Sequence, residues 1–205
     1  DYAVTGVQTC ALPICELRPT EIFGHLPPNR CGEADRQYMN EVLADGFGNT
    51  KDPARMVARF EIAFAEKFGV GFAISHNSGS GTMISALLAG GIGPGDEVIV
   101  PALTAAATAF VVIECGAVPV FADIDSDTFC MDPEDVRRKT TEFTKAIIPV
   151  SIYGLAPDYD RLMKLAAERS LLVIEDNAQC FLGEYQQKLV GTIGHAASFS
   201  FQGSK

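Results

Sequence analysis

The sequence predicts an α/β fold in which a mostly parallel sheet is flanked by helices. From residue 70 onwards, short apolar segments alternate with helical segments, which is the pattern of successive βαβ units. Several apolar segments are continuous runs of Val, Ile, Leu and Phe, as expected for strands buried on both faces. With 205 residues, of which 47% are hydrophobic and 20% charged, the chain can bury a large core.

Two amphipathic helices are expected before this alternation begins, over residues 33–44 and 53–68. Large apolar residues recur at four-residue spacing on one face of the second: Met56, Phe60, Phe64 and Phe68. Asp52 and Pro53 suit the N-cap and first turn of that helix, and residues 46–49 form a loop between the two helices.

The alternating region then provides the sheet. The expected strands are residues 72–75, 97–100, 118–122, 146–150, 171–175 and 197–201. The expected helices are residues 81–89, 105–114, 133–140 and 159–170. Residues 91–95, GIGPG, look like part of a dinucleotide-binding fingerprint, but they follow a helix and precede a strand. That order is the reverse of what phosphate binding needs, so the segment indicates a helix-ending turn, and a nicotinamide dehydrogenase loses its main support.

Composition excludes several classes of function. The net charge is −10 and no cluster of Lys and Arg stands out, so we expect no nucleic-acid partner. The most apolar stretch, residues 98–113, is interrupted by Pro101, so we expect no membrane span. The six cysteines form no C-x-x-C pair and no zinc-ligand spacing, which favours a reducing, cytoplasmic compartment.

Residues 1–15, DYAVTGVQTCALPIC, lack the features of a signal peptide. They resemble a translated sequencing adapter, and the alternative is a genuine frayed terminus. We therefore treat residues 1–15 as a non-native segment and residues 16–205 as the folded domain, and we seek no function in the former.

Three segments that follow strands carry candidate chemistry, because ligands of open α/β sheets bind outside the carboxyl ends of the strands. Residues 76–82, HNSGSGT, join a strand to a helix and suit either a phosphate or an ordinary helix cap. Asp176 ends the apolar run LLVIED, where its carboxylate could hold a pyridine nitrogen protonated, face solvent or cap a following short helix. Lys205 follows the strand-like ASFSF and a short polar turn, and by itself it reads as a solvated side chain.

Taken together and in order, these segments resemble the DegT/StrS family of sugar aminotransferases, which are fold-type-I enzymes that use pyridoxal 5'-phosphate (PLP). The resemblance runs from about residue 53 to residue 205. The matching segments are GIGPGDEVIVPALT at 91–104, PVFADID at 119–125, the YG of IPVSIYG at 148–154, IEDNAQ at 174–179 and SFSFQGSK at 198–205. The implied fold is the incomplete large domain of a fold-type-I PLP-dependent transferase, with the C-terminal small domain absent.

The resemblance also implies roles for individual residues. Lys205 would bind the cofactor covalently and move the substrate proton, and Asp176 would pair with the ring nitrogen. Gln179 would contact the hydroxyl side of the cofactor, and Ser200 its phosphate. The phosphate loop would be formed by three small residues: Gly79, Ser80 and Gly81.

This sequence departs from the family pattern at several positions. Ala105 stands where the family commonly has a Phe or Trp that stacks on the cofactor ring. Ser151 stands where His is frequent, and Asn177 where Ala is frequent. His195 replaces a frequent Asp, and we expect no catalytic role for any of the three histidines.

The expected activity is transfer of an amino group from an amino acid, usually L-glutamate, to a keto group of a nucleotide-linked sugar. The rivals are a sugar dehydratase, a cysteine desulfurase and a non-catalytic binding protein on the same scaffold. Family dehydratases carry His in place of the lysine, so Lys205 argues against that branch. Binding alone needs neither Asp176 nor Lys205. The parent enzyme is expected to be a homodimer, and the 205-residue chain by itself is expected to be an inactive fragment.

Overall fold

The computed structural model describes residues 32–45 and 56–202, which belong to two compact units divided between Ser75 and His76. The predictions for residues 1–15, the loop at 46–49, the cap at 52–53 and Lys205 lie outside the described residues. Within the described part of the chain, no helix is long and apolar enough to cross a bilayer.

The first unit contains helices α1 (Glu33–Asp45) and α2 (Met56–Phe68). The four-residue spacing in α2 is confirmed, because the ring centroids of Phe60 and Phe64 are 5.7 Å apart and those of Phe64 and Phe68 are 4.5 Å apart. Arg59 of α2 pairs with Glu41 of α1 at 2.8 Å.

The strand predicted at 72–75 is wrong for the described residues. Phe72 and Ile74 are mostly exposed, and the Ser75 amide donates its hydrogen bond to the Glu61 carboxylate at 2.7 Å instead of to a strand. Alternating apolar residues make a strand only where a neighbouring strand accepts their backbone hydrogen bonds. Sequence periodicity cannot supply that neighbour.

The described residues of the second unit form the sheet and four α-helices. The helices are α3 (Gly79–Ala89), α4 (Ala106–Glu114), α5 (Pro133–Lys139) and α6 (Tyr159–Arg169). The strands are β1 (Glu97–Pro101), β2 (Val118–Ala122), β3 (Thr144–Ile147), β4 (Leu172–Asp176), β5 (Glu184–Tyr185), β6 (Lys188–Leu189) and β7 (Ala196–Ser198).

The main sheet has the order β2-β1-β3-β4-β7, and every neighbouring pair is parallel. The predicted parallel α/β architecture is therefore confirmed. The chain runs from β1 outward to β2 and then returns to the other side of β1 as β3. Such a reversal of strand order opens a crevice at the carboxyl ends of the strands, which is where ligands bind in sheets of this kind.

Helices cover both faces of this sheet. Val98 and Val100 of β1 pack in one apolar cluster with α3 and α4 residues such as Leu87 and Val112. Ile99, pointing the other way, packs in a second cluster with Leu162 and other residues of α6. Full burial of one such side chain contributes roughly 1.5–3 kcal/mol, so the alternation along β1 stabilises both layers.

Three details of the sheet differ from expectation. Strand β3 begins at Thr144, two residues earlier than expected, and ends at Ile147. Ile148 still continues the pairing with β1 by donating to the Ile99 carbonyl at 2.8 Å. Strand β7 ends at Ser198, three residues early. The β5–β6 hairpin was not predicted, because its turn residues Gln186 and Gln187 both have positive φ, a conformation for which sequence patterns require Gly or Asn.

Candidate active site

The segment at 76–82 begins helix α3 with a side-chain cap. Ser78 has an extended backbone, and its hydroxyl accepts a hydrogen bond from the Gly81 amide at 3.1 Å. The first amides of an α-helix carry partial positive charge and have no acceptor in the preceding turn, so this end suits an anion. Cap and phosphate loop are therefore compatible, since Ser78 makes the cap while Gly79, Ser80 and Gly81 form the first turn.

Gly79 lies against the segment that follows β7. A Cβ atom at Gly79 would lie 3.0 Å from the Ser200 Cβ and 3.4 Å from the Phe199 carbonyl oxygen, so a side chain there would crowd this segment. The Ser198 hydroxyl donates to the Gly79 carbonyl oxygen at 3.1 Å. The structure thus brings together Gly79 and Ser200, two predicted phosphate ligands that are far apart in sequence.

Asp176 is the last residue of β4 and is 4% exposed. Its Oδ1 accepts a hydrogen bond from the Ala178 amide at 3.1 Å, and its Oδ2 accepts one from the Thr108 hydroxyl at 2.9 Å. In the sheet register its Cα partner on β7 is Ser198. Asp176, the predicted partner of the ring nitrogen, therefore pairs with Ser198, and Ser198 contacts the predicted phosphate loop at Gly79.

Gln179 fixes the loop after β3. Its Oε1 accepts a hydrogen bond from the Tyr153 amide at 3.0 Å. Tyr153 has φ of 52°, a left-handed conformation that costs a non-glycine residue about 1 kcal/mol or more. The same loop accepts hydrogen bonds from two thiols: Cys180 donates to Gly154 O at 3.3 Å and Cys130 to Leu155 O at 3.4 Å.

These two cysteines are structural donors. Burial raises the pKa of the Cys130 thiol to about 11, so it remains protonated and can donate. Cys115, Cys130 and Cys180 are all buried, as expected for small apolar residues.

Glu175, the residue before Asp176, is fully buried and points to the other side of β4. Its carboxylate accepts three backbone amide hydrogen bonds, from Gly191 at 2.6 Å, Ile193 at 2.8 Å and Gly194 at 2.6 Å. These bonds fix the loop that leads into β7. A charge can be buried at this position because amide donors surround it.

Ser151 and Asn177, two of the departures from the family pattern, contact each other. The Ser151 hydroxyl donates to the Asn177 Oδ1 at 2.7 Å, and both side chains are buried. The Ser151 amide donates to the Asp176 carbonyl at 3.0 Å, and the Asn177 amide donates to the Ser198 carbonyl at 2.9 Å. The pair therefore joins β3, β4 and β7 on either side of Asp176.

Burial determines the ionisation of the Tyr159 phenol. Tyr159 is fully buried, and desolvation, followed by the charge of Glu175, raises the pKa of its hydroxyl well above the ordinary value. Both effects favour the neutral phenol, which packs with Cys180 and Val190 in a buried cluster.

Other predicted features have plain structural explanations. Ala105 is exposed and occupies the N-cap position of α4 without a side-chain hydrogen bond, so no ring lies there. His195 accepts a hydrogen bond from the Val173 amide through Nδ1 at 3.0 Å, which gives it a structural role. Among residues 32–45 and 56–202, no cluster of His, Cys, Asp and Glu is arranged to hold a metal ion.

The sequence prediction missed the contact of Thr108 with Asp176 and that of Ser198 with Gly79. Thr108 follows Thr104 by one helical turn, and this polar pair in the otherwise apolar TAAATAF was the available signal. For Ser198, the signal was a polar residue between apolar ones on a buried strand.

Comparison with known proteins gives a consistent family match. Residues 29–205 match the model of the DegT/DnrJ/EryC1/StrS aminotransferase family. The chain is 46% identical over 171 residues to the GDP-perosamine synthase of Caulobacter vibrioides, a match that covers 83% of this chain and 46% of that protein. It is 43% identical over 173 residues to the L-glutamine:2-deoxy-scyllo-inosose aminotransferase of Streptomyces lividus, covering 82% and 41%. The chain thus spans less than half the length of these relatives.

Solved structures agree in fold. An aminotransferase from Psychrobacter cryohalolentis matches with a TM-score of 0.80 and 36% identity, covering 85% of this chain and 44% of that one. Spr1654 from Streptococcus pneumoniae, in its PLP-form, matches with a TM-score of 0.79 and 30% identity, covering 85% and 48%.

Proposed function

The chain belongs to the DegT/DnrJ/EryC1/StrS aminotransferase family, and on that basis we propose that the full-length protein is a PLP-dependent aminotransferase. Its reaction would transfer an amino group from an amino acid, with glutamate as the first candidate, to a keto group of a nucleotide-linked sugar. The chain's relatives include three GDP-perosamine synthases, which supports a sugar acceptor.

One observation carries the proposal: Ser198 of β7 links the candidate anion site at the start of α3 to the buried carboxylate at the end of β4. Asp176 pairs in register with Ser198, and Ser198 bonds to Gly79 in the first turn of α3. PLP has a phosphate at one end of a pyridine ring and a ring nitrogen that accepts a proton. A helix N-terminus beside a fixed carboxylate fits both ends of that molecule.

When bound, PLP supplies the electron sink that amino transfer requires. The residues of this chain would hold and orient it. Gly79, Ser80 and Gly81 would form the phosphate loop. The Gly79 and Ser80 amides would bind the phosphate together with the Ser200 hydroxyl, while the Gly81 amide donates to the Ser78 cap. Asp176 would hold a proton on the ring nitrogen by accepting its hydrogen bond.

Two further residues complete the proposed machinery. Lys205 would bind the cofactor covalently and carry a proton to and from the substrate carbon. Gln179 would contact the hydroxyl side of the ring, and its bond to the Tyr153 amide would keep its side chain in place.

The proposal extends to the organisation of the protein. Residues 16–205 would form part of the PLP-binding large domain, with residues 1–15 not native to it. The full-length enzyme would be a cytoplasmic homodimer. The exposed Phe110 and Ile113 on one face of α4 support a further protein surface covering this helix. The buried thiols of Cys115 and Cys130 support a reducing compartment.

The test separates the two halves of the reaction. The full-length protein, loaded with PLP, is mixed in turn with L-glutamate and L-glutamine, and conversion of PLP to its pyridoxamine form is followed by absorbance. We expect conversion with at least one donor. The converted enzyme is then given a nucleotide-linked keto sugar or 2-deoxy-scyllo-inosose, and return of the PLP spectrum identifies the acceptor class.

A Lys205→Ala variant is the matched control. It should lose the visible band of lysine-bound PLP and lower turnover by about 10²-fold or more, because it removes both the covalent link and the proton carrier. Failure of the wild type to convert PLP with any amino donor would favour the non-catalytic binding protein. Sulfur release from cysteine would favour a desulfurase, and loss of water from the sugar without amination would favour a dehydratase.

A further inference from the structure

A chain of two hydroxyls leads from the surface of the site to Asp176. The Thr104 Oγ1 lies 2.9 Å from the Thr108 Oγ1, and the Thr108 Oγ1 lies 2.9 Å from the Asp176 Oδ2. Thr108 is completely buried and Asp176 nearly so, whereas Thr104 is half-buried. The two threonines come before and within the first turn of α4 and are one helical turn apart, so their hydroxyls lie on one side of the helix.

Counting hydrogens fixes the direction of this chain. A threonine hydroxyl has one hydrogen to donate, and an ionised carboxylate can only accept. Thr108 donates its hydrogen to Asp176, so in its contact with Thr104 it must be the acceptor. Both hydroxyl dipoles therefore point toward the carboxylate, and each strengthens the next bond.

The carboxylate is also held from its other oxygen. Asp176 Oδ1 accepts the Ala178 amide at 3.1 Å, while Oδ2 accepts Thr108. Rotation of the carboxylate about its own axis would break both bonds. Hydrogen bonds to each oxygen also favour the charged form of a carboxyl group in a buried position.

We propose that Thr108, supported by Thr104, is a positioning residue that keeps the Asp176 carboxylate charged and correctly oriented toward a protonated ring nitrogen. This inference rests on the proposed function, because it assigns Asp176 a cationic ligand. It assigns Thr108 no contact with the ligand itself. The effect of Thr108 is exerted through Asp176.

Ala105 makes this positioning more important in the present chain. It follows Thr104 directly and provides no aromatic ring to hold the cofactor by stacking. Orientation of the ring would then depend more heavily on the fixed carboxylate at its nitrogen.

The experiment compares Thr108→Val with the wild type in the full-length protein. Valine has nearly the same shape as threonine but no hydroxyl, so the carboxylate loses one donor while packing is kept. A hydrogen bond to a charged group contributes about 1.5–3 kcal/mol, which corresponds to roughly a 10- to 150-fold change. We expect the combined loss in PLP affinity and in the rate of the donor half-reaction to lie within that range. We also expect the pH dependence of the bound-cofactor absorbance to shift.

Three variants make the result specific. Thr108→Ser retains the hydroxyl and should restore both quantities to within a few-fold of wild type. Thr104→Val should give a smaller change in the same direction, because it removes only the second hydroxyl. Thr140→Val removes a hydroxyl that donates to the Val136 carbonyl at 2.8 Å on α5, and it should leave PLP affinity and rate unchanged.

The proposal is overturned if Thr108→Val binds PLP and reacts with the donor as well as the wild type does. It is also overturned if Thr108→Val loses thermal stability without a change in the pH dependence of absorbance. Failure of Thr108→Ser to restore PLP affinity and the donor half-reaction would overturn it as well. If the wild type binds PLP but converts no donor, the proposed function fails, while PLP affinity and absorbance of the variants still decide the role of Thr108.

Discussion

The carboxyl end of β4 and the acidic segment around α5 each bury an aspartate, yet they hold it in different ways. Asp135 of α5 pairs with Arg138 and Lys139 of its own helix at 2.6 and 3.0 Å, three and four residues away. Asp176 receives its hydroxyl donor from Thr108, 68 residues away, across two elements of the fold. The charged partners of Asp135 lie within one helix, whereas the hydroxyl donor of Asp176 reaches it only after the sheet has formed.

This difference separates a structural carboxylate from a candidate functional one. The charge of Asp135 is balanced locally, and its second oxygen accepts the Asp123 amide, which ties α5 to the end of β2. The Asp176 carboxylate lies at the carboxyl edge of the sheet, where ligands of α/β proteins bind. The variants below test whether the two aspartates can be distinguished by activity and stability.

The largest expected effect comes from exchanging the two carboxylates for amides in the full-length enzyme. Asp176→Asn should lower kcat by roughly 10²- to 10³-fold, by analogy with the loss of one fixed electrostatic group in an active site. Asp135→Asn should leave kcat of the folded enzyme unchanged but lower the free energy of unfolding by about 1–2 kcal/mol, because the Asp123 amide, Arg138 and Lys139 lose a charged acceptor.

Steady-state kinetics and urea unfolding on the same preparations measure both quantities. Near-wild-type kcat in Asp176→Asn would show that this carboxylate has no part in the chemistry. A fall of kcat in Asp135→Asn equal to that in Asp176→Asn would show that the two regions are not separable.

Acid should affect the α5 region in a defined pH range. Burial alone would raise the pKa of Asp135, but the Asp123 amide and the Arg138 and Lys139 side chains outweigh it and hold the pKa at about 2. A carboxyl group whose pKa is lower in the folded than in the unfolded state stabilises the fold above the unfolded pKa, and this contribution disappears as the pH falls through the folded value.

We therefore expect the wild type to lose about 1–2 kcal/mol of stability between roughly pH 4 and pH 2 that Asp135→Asn does not lose. Urea midpoints of both proteins across this range measure the difference. Parallel pH curves would mean that Asp135 does not contribute in this way.

The same contrast explains which features could be predicted from the sequence. The start of α5 at Pro133 was predicted because its determinants are local: Asp132 caps the helix by accepting the Glu134 amide, and proline occupies the first position. Strand β2 matched its predicted bounds, and Asp176 was correctly placed at the end of β4, because each strand is a short apolar run that can be read from the sequence.

Features that depend on distant partners were not predictable in this way. Thr108 gains its importance only because the fold brings the first turn of α4 to the end of β4, and no periodicity contains that information. Ser198 and Gly79 are 119 residues apart and meet through the β4–β7 pairing. The expected strand at 72–75 fails for the same reason, since its pattern is correct but no partner strand is present in the described residues.

The smallest expected effect tests whether Ser151 and Asn177 act as a pair. Each single alanine variant leaves the other buried polar group without one partner, whereas the double variant removes both. A double-mutant cycle on the free energy of unfolding of the full-length protein should therefore show a coupling of about 1 kcal/mol, with the double variant less destabilised than the sum of the singles. Additivity within about 0.3 kcal/mol would mean that the two positions vary independently. Coupling would instead explain why this chain departs from its family at both: a serine in place of the frequent histidine needs an acceptor, and asparagine in place of alanine supplies it.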